Sequence, residues 1–317
     1  MLILFTVLGC TNTDKETGES TETNAVELIA PPAEGEGFQL ALDHFVPPYT
    51  EVWQCNVYRL ETETMSNVNS IEFQQNEGMH HMTISTTGFT GGQIEPGSYD
   101  CNSLYADQMD SLLMMFGSQG DAHDLLTLPE GVVARVPANI DIVHEIHYVN
   151  TTDQPLDLYS RVNAYTIPDS DVTSGIWGGN VRDEHINIPA NAEAHTEWTR
   201  CVMNEDIEVL FMASHMHQLG IAFNVRLFDG TTSGDIFYTN DDWHNPKIIK
   251  YDEPIIVPAG TGFEYSCTWK NPNDFDINYG LTSDDEMCNF TYVHTPESMS
   301  AQCTVVETSD GVLWEGK

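Results

Sequence analysis

The stretch GVVARVPANIDIVHEIHYVN, residues 131–150, decides the fold. Val, Ile and Tyr crowd it, while Gly131, Pro137 and Asn139 punctuate it, so it reads as strand or hairpin. The two-residue period of a strand sorts its second half. Val143, Glu145, His147 and Val149 share one face, and Ile142, His144, Ile146 and Tyr148 share the other. Only one of the two histidines therefore belongs to any single site. His144 reads as an ordinary hydrogen-bonded histidine, in the core or at the surface.

The same texture runs outward from about Phe38. IEVLFMASHMHQLG (207–220), FNVRLFDGTTSGDIFYTN (223–240) and GTGFEYSCTW (260–269) are further strands or hairpins. The second of these turns at Asp229-Gly230 or at the TTSG that follows. Long helical periodicity is scarce, so the fold class is all-β. One stretch, SLYADQMDSLLMMFGSQGD (103–121), reads as a short helix, with Leu112, Leu113, Met114 and Met115 as core packing. PDSDVTSGIWGG (168–179) has the composition of a connector, which divides the chain into 38–172 and 173–310. At 317 residues there is enough chain for two cores.

The formal net charge is −38, from 49 acidic against 11 basic residues. Such a surface repels nucleic acid and anionic membranes and has few cations with which to grip phosphate. The first ten residues, MLILFTVLGC, are apolar but too short to span a bilayer, and VLGC looks like a bacterial lipoprotein cleavage box. On that reading Cys10 is lipidated, residues 11–37 form a disordered acidic tether, and the protein is exported to the cell envelope with the lipid as its only membrane anchor. Six cysteines remain, at 55, 101, 201, 267, 288 and 303, with no CxxC pair. An even count in an exported chain predicts disulfides. Pairing within each half joins Cys55 to Cys101 and leaves three pairings open among the other four.

Twelve histidines stand against eleven Lys and Arg. EGMHHMTIS (77–85) holds His80 and His81, which point to opposite faces of a regular strand and share an ion only where the strand ends or is irregular. His215 and His217 are two apart and project side by side, a spacing that suits chelation. Imidazoles suit zinc, copper, iron and nickel, and a thioether tips the choice toward Cu(I). Met79, Met82, Met216 and Met287 all lie close to candidate ligands or cysteines.

HHM at His80, HY at His147, HMHQLG at His215 and TSDDEMCN at Met287, with LPEGVVARV and GFEYSCTW between them, resemble the copper type II, ascorbate-dependent monooxygenases. This is the family of peptidylglycine α-hydroxylating monooxygenase and dopamine β-monooxygenase. The resemblance runs from about Thr50 to Cys303. It implies two tandem antiparallel jelly-roll β-sandwiches, each with a copper site, facing each other across a cleft. It further implies two coppers per chain: an electron-storing copper held by His80, His81 and His147, and an oxygen-binding copper held by His215, His217 and Met287. The cysteine pairs it implies are Cys55–Cys101, Cys201–Cys303 and Cys267–Cys288, the last fixing Met287 beside it.

The chain also departs from the pattern. Peptide-amidating members carry an arginine where this chain has Ala213, and a tyrosine where it has Thr291. Asn289 matches a substrate-side asparagine, and Glu145 replaces a glutamine. The expected activity is hydroxylation of a C–H bond of a small or peptidic substrate with O2 and ascorbate or another one-electron donor. The alternatives are a copper-binding store without turnover and a metal-free glycopeptide hydrolase of similar architecture. No GxSxG elbow, P-loop or Rossmann glycine pattern is present in the sequence.

Overall fold

A computed structural model describes residues 26–87, 91–108, 112–118, 121–244, 246, 248–280 and 284–311. Cys10 and the tether residues before Val26 lie outside them. The β-branched runs form strands throughout. The first half contributes β1 (Gly37–Val46), β2 (Glu51–Leu60), β3 (Ser66–Gln75), β4 (His81–Thr86), β5 (Gly97–Asp100) and β6 (Leu113–Ser118). It continues with β7 (His123–Thr127), β8 (Val132–Val136), β9 (Ile140–Val149), β10 (Leu156–Thr166) and β11 (Ser174–Gly175). The second half contributes β12 (Trp177–Arg182), β13 (Asn187–Ile188), β14 (His195–Met203), β15 (Ile207–His215) and β16 (Gly220–Phe228). It ends with β17 (Ser233–Asn240), β18 (Ile249–Val257), β19 (Gly262–Trp269), β20 (Ile277–Asn278), β21 (Asn289–Thr295) and β22 (Cys303–Thr308).

The first-half strands make two sheets, one ordered β1-β10-β3-β8-β11 with β7 also on β3, the other β5-β2-β9-β4-β6. Leu42, Phe73 and Val162 from the first sheet pack against Met82, Ile142 and Ile146 from the second. Full burial of such side chains stabilises by about 1.5–3 kcal/mol each. The second-half strands repeat the plan, with β12-β21-β15-β18 facing β17-β16-β19-β14-β22, and β13 paired to β20. Their core is more aromatic, and Phe223 stacks on Tyr265 with centroids 5.9 Å apart. Sheet membership changes at Ile176: β11 still pairs with β8, whereas β12 pairs with β21.

Residues 131–150 form two strands that belong to different sheets, β8 and β9, and the chain turns between them at Asn139 with φ +52°. Asn tolerates that left-handed conformation better than most residues. The helix expected within 103–121 is shorter and earlier, α1 (Cys101–Gln108), started by Asp100, whose side chain accepts the Ser103 N–H at 3.0 Å. Leu113, Met114 and Met115 lie on strand β6. Leu113 and Met114 are exposed, so the expectation of core packing fails for them; Phe116 takes that place. Four adjacent apolar residues carry no period, and here the edge of a sheet decided their exposure.

A β-bulge between Val209 and Phe211 positions the second site. Val209 and Met212 remain in the core, while Leu210 and Phe211 both turn outward onto Leu128 of the first half. The extra residue shifts the phase of the strand, so Ser214 stays buried and His215 faces away from the core. Lys250 donates to the Thr127 carbonyl at 2.5 Å, and Arg135 pairs with Glu297 at 3.3 Å, further joining the two halves.

Disulfides connect Cys55–Cys101, Cys201–Cys303 and Cys267–Cys288. These are the pairs the resemblance implies.

Candidate metal centres

Strand β4 begins at His81, so His80 lies just before the regular backbone and escapes strand alternation. Its N–H donates to the His147 carbonyl at 3.0 Å, and His81 pairs with His147 across β4 and β9. The three rings therefore meet. Nδ1 of His80 lies 3.0 Å from Nδ1 of His147 and 3.2 Å from Nδ1 of His81. A ligand atom from each falls within 4.8 Å of the others, the only such group of three His, Cys, Asp or Glu among the described residues.

The far side of each ring explains why Nδ1 is the free atom. His81 Nε2–H donates to Glu145 Oε1 at 2.8 Å, and His147 Nε2–H donates to Glu51 Oε1 at 2.7 Å. A carboxylate only accepts, so both rings carry their proton on Nε2 and turn an Nδ1 lone pair into the cluster. Burial lowers the His80 pKa to about 4, with His81 and His147 adding to the effect. Burial lowers that of His147 too, against the pull of Glu51. Neutral imidazoles at neutral pH are what a metal requires.

Glu145 sits at the centre of this arrangement. It also accepts Trp53 Nε1–H at 2.6 Å, Thr83 Oγ1–H at 2.6 Å and the Tyr105 hydroxyl. Burial pushes its pKa up, but His81, Thr83 and Tyr105 outweigh that and hold it at about 2. Burial and the neighbouring carboxylate push the Tyr105 phenol up. His144, on the opposite face of β9, is fully buried against Ser160 Oγ at 2.9 Å, which settles it as a core histidine. Met79 and Met82 are core residues that do not face the cluster's polar side.

The second group forms where β15 ends. Met216 points into the core between His215 and His217, whose rings meet edge to face at 5.1 Å. His217 lies past the end of the strand, so its direction comes from two backbone ties. Its N–H donates to Glu286 Oε2 at 3.0 Å, and its Nδ1–H donates to the Asp285 carbonyl at 2.9 Å, which leaves Nε2 with the lone pair. Burial lowers the His215 pKa to about 4, helped by His217 and, from the first half, His81 and His80.

Glu286 is fully buried and collects the Leu219 N–H at 2.7 Å, Trp269 Nε1–H at 3.0 Å and the Met287 N–H at 3.3 Å as well. It thereby ties the His217 turn to the Met287 segment. Asn289, paired with His215 across β21, donates to the Met287 sulfur at 3.2 Å. His215, His217 and Met287 are thus brought to one place. Ala213 pairs with Thr291, which accepts from Asn180 at 2.9 Å, so the strand floor beside His215 is small and uncharged. His244 crosses from the second half to stack on His80, with centroids 5.9 Å apart.

Sequence reasoning missed Glu51, Glu286, Trp53, Tyr105 and His244. Glu286 had a local signal, since it adjoins Met287. Glu51 had none, because it reaches His147 across 96 residues.

The donor chemistry fits a soft or borderline metal at both places: three imidazoles at one, two imidazoles beside a thioether at the other. Three disulfides in an all-β chain indicate an exported or extracellular protein, and among the described residues no helix is long and apolar enough to cross a membrane. The fold and these clusters define the class as a disulfide-bonded β protein whose histidines gather in two groups. Residues 176–316 match the family described as "Copper type II ascorbate-dependent monooxygenase, C-terminal domain", which supports a copper-dependent oxidoreductase of that general kind. Among solved structures, that of infectious bursal disease virus Gx strain has 9% identity and a TM-score of 0.20, covering 84% of this chain and 72% of that one. An 11S globulin from Wrightia tinctoria has 9% identity and a TM-score of 0.18, covering 85% of this chain and 78% of that one. Scores that low define no common fold.

Proposed function

We propose that this chain is an exported copper monooxygenase that hydroxylates a C–H bond of a small or peptidic substrate, using O2 and ascorbate or another one-electron donor. The observation that carries the reading is the pairing of two unlike donor sets, the convergent Nδ1 atoms of His80, His81 and His147 and the group of His215, His217 and Met287. Copper held by the first set supplies electron storage, and copper held by the second supplies O2 chemistry. The two pairs of sheets support a reading as tandem jelly-roll sandwiches, 38–172 and 173–310, with two coppers per chain and a lipid on Cys10 as the anchor.

The protein's own part is placement. Glu145 and Glu51 hold the tautomers of His81 and His147, the Asp285 carbonyl holds that of His217, and Glu286 holds the His217 backbone in place. Asn289 lies between His215 and Met287, where it can orient a bound substrate. Ala213 and Thr291 offer no charge for a substrate carboxylate, which argues against peptide amidation.

A copper store without turnover would use the same ligands. Copper stoichiometry together with ascorbate-driven oxygen uptake over a substrate panel separates the two. Two coppers with substrate-dependent uptake support the enzyme, and two coppers with none support the store. The absence of copper binding overturns both.

A further inference from the structure

Both carboxylates at the first cluster touch imidazoles directly, whereas the imidazole contact described at the second is to a backbone carbonyl. His81 and His147 each donate Nε2–H to a glutamate, whereas His217 donates Nδ1–H to a neutral carbonyl. A ring whose remote N–H meets a carboxylate becomes a stronger donor to a metal on its other nitrogen. Glu145 is also a buried fixed charge, 5% exposed and little screened by salt. A nearby anion favours the more highly charged state of a metal, here Cu(II) over Cu(I). At the second cluster a thioether favours Cu(I). Glu286 is a buried carboxylate there too, but it spends its acceptors on three backbone N–H groups and the Trp269 indole and touches no imidazole nitrogen.

We infer that Glu145, assisted by Glu51, is a positioning and charge-setting residue that makes the three-histidine site the more reducing of the two. The inference rests on the reading that the three-histidine cluster holds copper.

Glu145→Gln suits the test, because the Thr83 and Tyr105 hydroxyls that donate to Glu145 can turn and accept from an amide. Glu51→Gln is the second variant. The Glu51 side chain is 65% exposed, so its loss leaves folding intact. The measurement is a redox titration of the copper-loaded full chain followed by electron paramagnetic resonance, in a His217→Ala background where only the three-histidine site titrates. With Glu145→Gln the affinity for Cu(II) should fall about 10-fold relative to Cu(I), a rise of about 59 mV in midpoint potential. Glu51→Gln should raise it by less. Unchanged midpoints in both variants, with copper bound, overturn the inference and leave the proposed function standing. If Glu145→Gln does not fold, an unchanged midpoint in Glu51→Gln alone overturns it, and a rise supports it. Failure of the wild-type cluster to bind copper overturns the proposed function and this inference together.

Discussion

Glu286 accepts the backbone N–H of His217 at 3.0 Å and that of its own neighbour, Met287, at 3.3 Å. One buried carboxylate therefore sets the spacing between a turn and a loop 69 residues apart. Glu286→Ala would leave a buried indole N–H and three partly buried backbone N–H groups without their acceptor. Each orphaned donor costs about 1–3 kcal/mol, so we expect a loss of at least about 3 kcal/mol in urea unfolding and of the second copper. Glu286→Gln keeps an acceptor and should retain most of the stability. Full copper content in a folded Glu286→Ala protein would show that the carboxylate does not organise the site.

The Cys267–Cys288 bridge closes 21 residues and holds the strand beside Trp269 to the Met287 segment. Replacing both cysteines with serine should lower stability by about 3 kcal/mol on chain-entropy grounds. It should also weaken copper at the second site and leave the three-histidine site intact, since the first half carries its own Cys55–Cys101 bridge. Metal titration of the double variant checks this; equal weakening at both sites contradicts it.

His144 is buried, and burial holds its pKa at about 3, below the 6.5 of an unfolded histidine. As pH falls below 6.5 the unfolded chain takes up a proton that the folded one refuses. The stability this site contributes is therefore whole above pH 6.5 and is lost on the way down to about 3, at about 1.4 kcal/mol per pH unit. His144→Gln in the metal-free protein should flatten the acid limb by that amount between pH 6 and 4. Parallel unfolding curves for the two proteins would contradict the assignment.

Strand alternation made the division of His144 from His147 legible, because both lie inside a regular strand. His80 and His81 were legible only conditionally. Their rings converge because β4 starts between them, and a strand boundary is set by pairing with β9, which no local pattern encodes. The bulge at Leu210 that turns His215 outward is likewise a property of the pairing between β15 and β21. Leu113 and Met114 misled because apolar composition does not say whether a strand ends at a sheet edge. Glu145 was legible as a carboxylate on the His147 face of its strand, whereas Glu51 was invisible, since it acquires its role only when β2 lies beside β9.

Met287→Ala should abolish oxygen-dependent turnover while the three-histidine copper remains. The thioether is the one soft donor of the proposed second set, and His80, His81 and His147 lie in the other half of the chain. If Met287 were only packing, truncation would cost about 2–5 kcal/mol and lower activity through unfolding alone. A folded Met287→Ala protein that turns over at the wild-type rate would remove this residue from the site.

The central claim is that the chain holds two coppers in unlike sites, and counting copper in site-directed variants tests it most directly. The wild-type protein, purified and dialysed against Cu(II), should retain two equivalents per chain. His80→Ala with His81→Ala should retain one, His215→Ala with His217→Ala should retain one, and the four changes combined should retain none. A wild-type protein that binds a single equivalent, unaltered by His80→Ala with His81→Ala, would contradict the account.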